Sequence, residues 1–365
     1  FGCNYNYYNS YTYNFDFIMT STRYLFYIAH NYSFEILRPL QQVILAQGDE
    51  VKWLAVGKEV TLSYFQSDES VLNSIDDARA YNPDASFAPG NEIPNFIPGL
   101  KIQVFHGLEW KKKGHFVIRD FFDLYCTHGP ATTSRFNELA KKHGFFDVVE
   151  TAWPKLDYLF TSPAMPIKEN LHAQNRKIIL YAPTFSPTLT SAPELFNEIK
   201  RLSEQESYHW LIKFHPKMAT QWLEQYKTLE KDNVQIIETS SINELLQTAD
   251  IMVSDTSSVI GEFSLLNKAT VSLNNKEPGD YLVNIQTADQ LEKAIELALN
   301  PSKQLKTAIK AYADDLHPYH DGHAAQRILS ATEALLKNGK QAKKSKPLNL
   351  FRNLKQRKKL NYWVL

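Results

Sequence analysis

Two kinds of apolar pattern alternate along this chain. Short apolar blocks recur at Tyr24–Ile28, Val51–Val56, Ser86–Phe87, Lys101–Phe105 and Leu124–Cys126. They resume at Lys177–Tyr181, Trp210–Phe214, Val234–Ile237, Ile251–Val253 and Thr270–Leu273. Between them lie longer stretches whose apolar positions repeat every three or four residues. These are Phe34–Gln47 (closed by Gly48), Thr132–His143, Ala192–Gln205, Thr220–Lys231, Ile242–Ala249 and Val259–Leu266. Period-3.6 runs predict helices and the short apolar blocks predict buried strands. Strand–helix alternation at this spacing predicts parallel sheets covered on both faces. The pattern weakens between Pro154 and Asn175, where Pro163 and Pro166 fit a linker. The expectation is an α/β protein of two facing domains, 19–165 and 166–336.

Composition narrows the class. A chain of 365 residues, 43% hydrophobic and 22% charged, has length and apolar content for two cores. Its two cysteines, Cys3 and Cys126, exclude a disulfide framework and favour a reducing compartment. No run approaches the roughly 18 apolar residues of a membrane span. No C-x-x-C or His-Glu-x-x-His spacing points to a metal, so no metal ligands are assigned.

Both ends depart from the domain pattern. Residues 1–18 are mostly Tyr, Asn and Phe, and Met19 follows directly. They read as a non-native or disordered leader. From Lys337 onward there are ten Lys or Arg and no Asp or Glu, leaving 30 basic against 40 acidic residues elsewhere. Leu348, Leu350, Phe351, Leu354 and Leu360 are interspersed among those charges, and Tyr362-Trp363 lies near the end. Residues 337–365 therefore read as a basic amphipathic helix or tail suited to an anionic membrane surface. A helix packed back on the body and a disordered tail are the alternatives. The acidic body argues against nucleic acid.

In parallel sheets ligands bind beyond the carboxyl ends of the strands. The strand ends carry His106-Gly107, Ala182-Pro183-Thr184-Phe185, His215-Pro216 and Ser254-Asp255-Thr256-Ser257-Ser258. The serine turn opens the helix that carries Glu262. Free N–H groups at a helix start, with two hydroxyls added, make a phosphate seat, although the same residues serve as ordinary caps. Histidine suits proton transfer at a reacting hydroxyl or leaving phosphate, although a lone strand-end histidine is commonly structural. Gly107 permits close approach of a substrate, and Lys111 offers a cation or belongs to a solvated run. His320, His323 and Arg327 cluster at a further predicted helix start, with no metal-site spacing.

Together these motifs resemble those of the CDP-glycerol glycerophosphotransferase family, over about residues 100–330. Phe105-His-Gly-Leu-Glu-Trp-Lys111 is similar to the family's Trp-His-Gly-x-Pro-Leu-Lys, and Tyr181-Ala-Pro-Thr-Phe185 to its Tyr-Ala-Pro-Thr-Phe-Arg. Lys213-Phe-His-Pro216 resembles Lys-x-His-Pro. Asp250–Phe263 resembles the Asp-Tyr-Ser-Ser signature, and Asp321–Arg327 the closing Asp-Gly-x-Ala-x-x-Arg. Ser186, Thr256, His323 and Phe105 depart from the usual Arg, aromatic, Lys and Trp, and the proline of the first motif is absent.

The resemblance implies a GT-B arrangement of two Rossmann-like domains. It implies transfer of glycerol- or ribitol-phosphate from CDP-glycerol or CDP-ribitol to a membrane-anchored glycolipid acceptor, with CMP released and no cofactor. His106 would be the base and His215 would act on the leaving phosphate. Thr184, Asp255, Ser257, Ser258, Glu262, His323 and Arg327 would face the donor, and Gly107 and Lys111 the acceptor. The place of action would be the inner face of a bacterial cytoplasmic membrane. A nucleotide-sugar glycosyltransferase and a non-catalytic glycolipid-binding scaffold remain as alternatives.

Overall fold

A computed structural model describes residues 21–108, 113–161, 163, 175–238 and 242–363. The leader and Lys111 fall outside them. The first half builds strands β1 Arg23–Ile28, β2 Glu50–Ala55, β3 Val71–Leu72, β4 Ala85–Ala88, β5 Leu100–Gln103, β6 Leu124–Thr127 and β7 Asp147–Glu150. The second half builds β8 Lys177–Tyr181, β9 Tyr208–Ile212, β10 Val234–Ile236, β11 Ile251–Ser254, β12 Thr270–Leu273 and β13 Leu282–Ile285. All pairings within each sheet are parallel. The orders are β3-β2-β1-β4-β5-β6-β7 and β10-β9-β8-β11-β12-β13.

Each order reverses direction once, between β1 and β4 and between β8 and β11. A crevice opens at such a reversal, beyond the carboxyl ends of the strands. The first is bounded by the loops that leave β1 at Ile28 and β4 at Ala88. The second is bounded by the Ala182-Pro183-Thr184 and Ser254–Ser258 turns. Central strands are buried along their length, which explains their near-continuous apolar sequence.

The helices are α1 Ser33–Ala46, α2 Ile75–Tyr81, α3 Pro130–His143, α4 Asp157–Thr161, α5 Ala192–Leu202 and α6 Thr220–Lys227. They continue with α7 Asn243–Thr248, α8 Val259–Ser264, α9 Leu291–Leu299, α10 Lys303–Leu316, α11 Ala324–Asn338 and α12 Leu350–Lys359. Gly48 follows α1 at φ +83, the left-handed position expected of its closing residue. Among the described residues no helix is long and apolar enough to cross a membrane.

The last long helix of the second half packs back on the first. Helix α11 buries Ile328, Leu329 and Leu335 in the core cluster that also holds Phe34, Leu37 and Leu40 of α1. The chain thus crosses back to the N-terminal domain before residue 336. The basic segment follows it there. Lys340 and Lys346 bond the buried Asp123 carboxylate at 2.9 and 2.6 Å, and the N–H groups of Gln341 and Ala342 donate to Asp147. Helix α12 docks through Gln356 on Glu92 and Arg352 on Asp120, and Tyr362 stacks on Phe96. Acidic groups of the N-terminal domain draw the basic segment down, which a charge count along the sequence does not reveal. Leu348, Leu350, Phe351, Leu354 and Trp363 stay exposed.

Candidate active site

The base of the site is the turn after β11. Asp255 is fully buried, and its carboxylate accepts from the N–H of Thr184 (2.9 Å), the N–H and hydroxyl of Ser191 (2.8 and 3.0 Å) and the N–H of Thr256 (2.6 Å). Burial pushes this carboxyl up, and the N–H donors oppose the shift. Asp255 was expected to face the donor. It has no face left to offer, and instead ties the Ala182–Ser191 loop to the serine turn. Ser254 adds a hydrogen bond to the Ala182 carbonyl at 2.7 Å.

This tie leaves the next residues open. Among the described residues the N–H groups and hydroxyls of Ser257 and Ser258, and the N–H of Val259, make no hydrogen bond. Successive unpaired N–H groups on a turn form an anion-binding concavity. Helix α8 is short, so the seat rests on the turn and the hydroxyls more than on a helix dipole. Thr256, at the position of the family's aromatic, accepts from the N–H of Lys276 at 3.3 Å.

His215 joins this group through Phe185, whose ring lies 4.4 Å from the imidazole. Its Nδ1 accepts from the Lys217 N–H at 3.0 Å. The ring proton of neutral His215 therefore sits on Nε2, and that N–H points outward from an exposed side chain. Burial, then Lys217 and Lys213, lowers its pKa, which favours this neutral form.

His106 has the opposite tautomer. Its Nδ1 lies 3.0 Å from the Pro89 carbonyl, which can only accept. In neutral His106 the proton is on Nδ1 and the lone pair on Nε2. Tyr32, just beyond β1, stacks on the ring at 5.4 Å. The preceding residue, Phe105, sits at φ +59, a conformation a bulky residue rarely adopts. Its ring is held by His115, His128 and Phe136 at 4.9 to 5.3 Å. That packing maintains the strained backbone that swings His106 out of the ladder. The expected strand to Phe105 accordingly stops at Gln103.

The two histidine-bearing domains meet at α8. Leu108, two residues past His106, lies 3.9 Å from where a Cβ on Gly261 would stand, and Leu316 lies at 3.1 Å. Lys155 bridges Glu262 of α8 at 3.0 Å and Glu35 of α1 at 3.9 Å. Burial alone would lower the Lys155 ammonium, but the two carboxylates more than offset it and its pKa is raised. Glu262, expected to face the donor, is thus engaged by Lys155 across the domain junction.

The last motif is anchored differently from expectation. Asp157 accepts from the N–H groups of Ala324 and Ala325 at 2.8 and 2.9 Å, so a carboxylate of the chain already caps α11. Arg327 forms a bidentate pair with Asp321, 2.8 Å at its shortest, and lies over Tyr319. His323 is exposed and 3.8 Å from Asp321. The structure places this group against Asp157–Thr161. Among the described residues no group of three or more His, Cys, Asp or Glu could hold a metal.

Comparison with known proteins agrees with the family resemblance, and four of the five motifs, all but Phe105–Lys111, lie within the matched residues. The sequence profile of the CDP-Glycerol:Poly(glycerophosphate) glycerophosphotransferase family matches residues 123–333. The chain belongs to this family. Family relatives include the teichoic acid glycerol-phosphate primase of Bacillus subtilis, 29% identical over 240 residues, or 60% of this chain and 61% of the primase. Another is the teichoic acid poly(ribitol-phosphate) polymerase of Bacillus spizizenii, 26% identical over 50% of this chain and 33% of the polymerase. The chain thus spans less than two thirds of either relative. Among solved structures, the wall teichoic acid polymerase TagF superposes with a TM-score of 0.61 at 15% identity, covering 87% of this chain and 89% of TagF. A UDP-N-acetylglucosamine 2-epimerase superposes at 0.60 and 14% identity, covering 90% and 98%. The chain therefore has the GT-B arrangement of two Rossmann-like domains.

Sequence reasoning missed Tyr32, Lys155, Glu35 and Asp157. The strand-end rule, applied to β1 as well, would have pointed to His30-Asn31-Tyr32. No local signal marks Lys155, whose partners lie in two distant helices.

Proposed function

We propose that this chain transfers a polyol phosphate from a CDP-alditol to a hydroxyl of an acceptor saccharide, releasing CMP. The observation that carries the reading is the complementary tautomer pair. His106 presents a lone pair at Nε2 and His215 presents an N–H at Nε2, one from each domain.

In the proposed step His106 Nε2 takes the proton of the acceptor hydroxyl. The oxygen attacks the phosphorus bearing the alditol, and the P–O–P bond breaks. His215 Nε2–H and the N–H groups of Ser257–Val259 receive the charge gathering on the leaving CMP phosphate. Stabilisation by pre-aimed donors is the largest part of catalysis in phosphoryl transfer. Thr184 helps shape the donor side through its N–H bond to Asp255. Arg327 and His323 remain candidate contacts to the donor only if ligand binding draws Arg327 from Asp321. Among the described residues nothing lies within 4 Å of where a side chain on Gly107 would stand. A substrate would approach there, with Lys111 nearby in sequence.

The acceptor would be a membrane-anchored glycolipid, and the reaction would run at the inner face of a bacterial cytoplasmic membrane in teichoic acid or capsule synthesis. A primase-like addition suits the chain. The outward Leu350, Phe351 and Leu354 of α12, among Arg352, Lys355 and Lys358, support contact with an anionic bilayer.

Incubation with CDP-glycerol and CDP-ribitol separately, each with a lipid-linked saccharide, tests the reading. The expected products are CMP and an acceptor whose mass grows by an alditol phosphate. A new glycosidic bond from a nucleotide sugar, or no CMP from either donor, would contradict it.

A further inference from the structure

A second polar cavity, of about 480 Å³, opens beside the serine turn at the carboxyl ends of β12 and β13, bounded by the start of α5. Ser191, Glu194, Asn275, Lys276, Asn284 and Gln286 are among its lining residues. Its size falls in the range of small-ligand sites, about 300–1,000 Å³.

The walls are fixed by bonds to the same residue that fixes the phosphate seat. The Asn275 amide donates to the Asp255 carbonyl at 2.6 Å, and the Asp255 carboxylate holds Ser191. Asn284 Oδ1 accepts from the Ser272 hydroxyl (2.9 Å) and the Asn275 N–H (3.1 Å). The Lys276 N–H reaches Thr256. Cavity and seat are therefore one rigid unit, and a molecule held by Ser257 and Ser258 would have this cavity next to it.

The groups left over define the ligand. Among the described residues Asn284 Nδ2, Lys276 Nζ, the Glu194 carboxylate and the Gln286 amide have no partner. They offer several donors and one strong acceptor around the cavity. A pyranose ring would want an aromatic face to cover its apolar side, and among the described residues no aromatic lines the cavity. A lone lysine opposite a glutamate is a poor seat for a second phosphate.

We propose that this cavity binds an acyclic polyol, an alditol next to the diphosphate seated on the serine turn. The inference rests on the polyol-phosphate reading above. It goes further in assigning alditol recognition to the loops after β12 and β13. The alditol could belong to the donor or to the end of a growing acceptor, and the experiment separates these sources.

Three variants test it: Lys276→Ala and Glu194→Gln, both at exposed positions, and Asn284→Asp, which keeps the acceptor that holds Asn275. Affinity for CDP is measured by calorimetry, and KM is measured for CDP-glycerol, CDP-ribitol and acceptor. Loss of one or two hydrogen bonds should raise KM about 5- to 30-fold while CDP affinity stays within twofold. A rise confined to donor KM assigns the donor's alditol, and one confined to acceptor KM assigns the acceptor's. Unchanged KM values, or an equal loss of CDP affinity, would overturn the proposal. A readout independent of turnover is NMR of asparagine-labelled protein titrated with glycerol 3-phosphate and ribitol 5-phosphate. The Asn284 side-chain signals should move in wild type and not in Lys276→Ala/Glu194→Gln. Absence of movement in wild type would overturn the site even if CMP release is robust. Movement without CMP release would keep the site and sink the transfer reaction.

Discussion

His106 and His215 show how a residue's chemistry is set by the one atom its neighbour bonds. A carbonyl on Nδ1 leaves a base at Nε2, and an N–H on Nδ1 leaves a donor there. Asp255 shows the reverse, a residue in the most informative motif whose role is to position others. Asp255→Asn would leave one or more buried N–H groups unpaired, costing about 1–3 kcal/mol. Thermal unfolding should shift down and donor KM should rise; an unchanged melting temperature would contradict the tie. Three further histidines are packed inside: His115 and His128 against Phe105, and His317 against the Trp153 N–H. Burial holds His115 and His317 down at about 4, and His128 well below the usual histidine value. All three are neutral when folded and take up protons more readily when unfolded. Their contribution is complete above about pH 6.5 and declines as pH falls toward 4, by about 1.4 kcal/mol per pH unit for each. His128→Leu should flatten the fall in melting temperature between pH 6.5 and 5; parallel curves for variant and wild type would contradict this.

At the scale of elements, strands with near-continuous apolar sequence, such as β1, β8, β9 and β11, were legible because burial on both faces leaves a plain signal. The edge strands β3, β7 and β13 were not. They are short and half-exposed, and only pairing to a neighbour defines them. The phosphate seat was legible because its donors are local. The Lys155 bridge and the Asp157 cap were not, because each joins groups more than 100 residues apart. Helix α12 was half legible: its amphipathic pattern predicted a surface helix, but not that its polar face is docked on Glu92 and Asp120. That docking changes the test of membrane contact. Deleting residues 338–365 would strip Asp123 of both lysines, and an unpaired buried carboxylate costs several kcal/mol. Phe351→Ser/Leu354→Ser touches only exposed positions. It should leave the melting temperature unchanged and reduce sedimentation with anionic vesicles. Full retention of vesicle binding would argue against α12 as the contact.

The whole molecule couples two Rossmann-like domains through a shared core cluster and a few polar contacts. Lys155 reaches Glu262 and Glu35, the Trp153 N–H donates to His317 at 3.1 Å, and Gly129 lies so close to Leu316 that a Cβ would meet its carbonyl at 2.6 Å. These contacts fix how the domain that carries His106 sits against the domain that carries the serine turn. The most direct measurement of the central claim compares wild type with His106→Ala in single-turnover CMP release, with CDP-alditol affinity measured in parallel. Loss of a positioned base should slow transfer about 10²- to 10⁴-fold, while donor affinity stays within twofold. Near-normal transfer by His106→Ala would contradict the account.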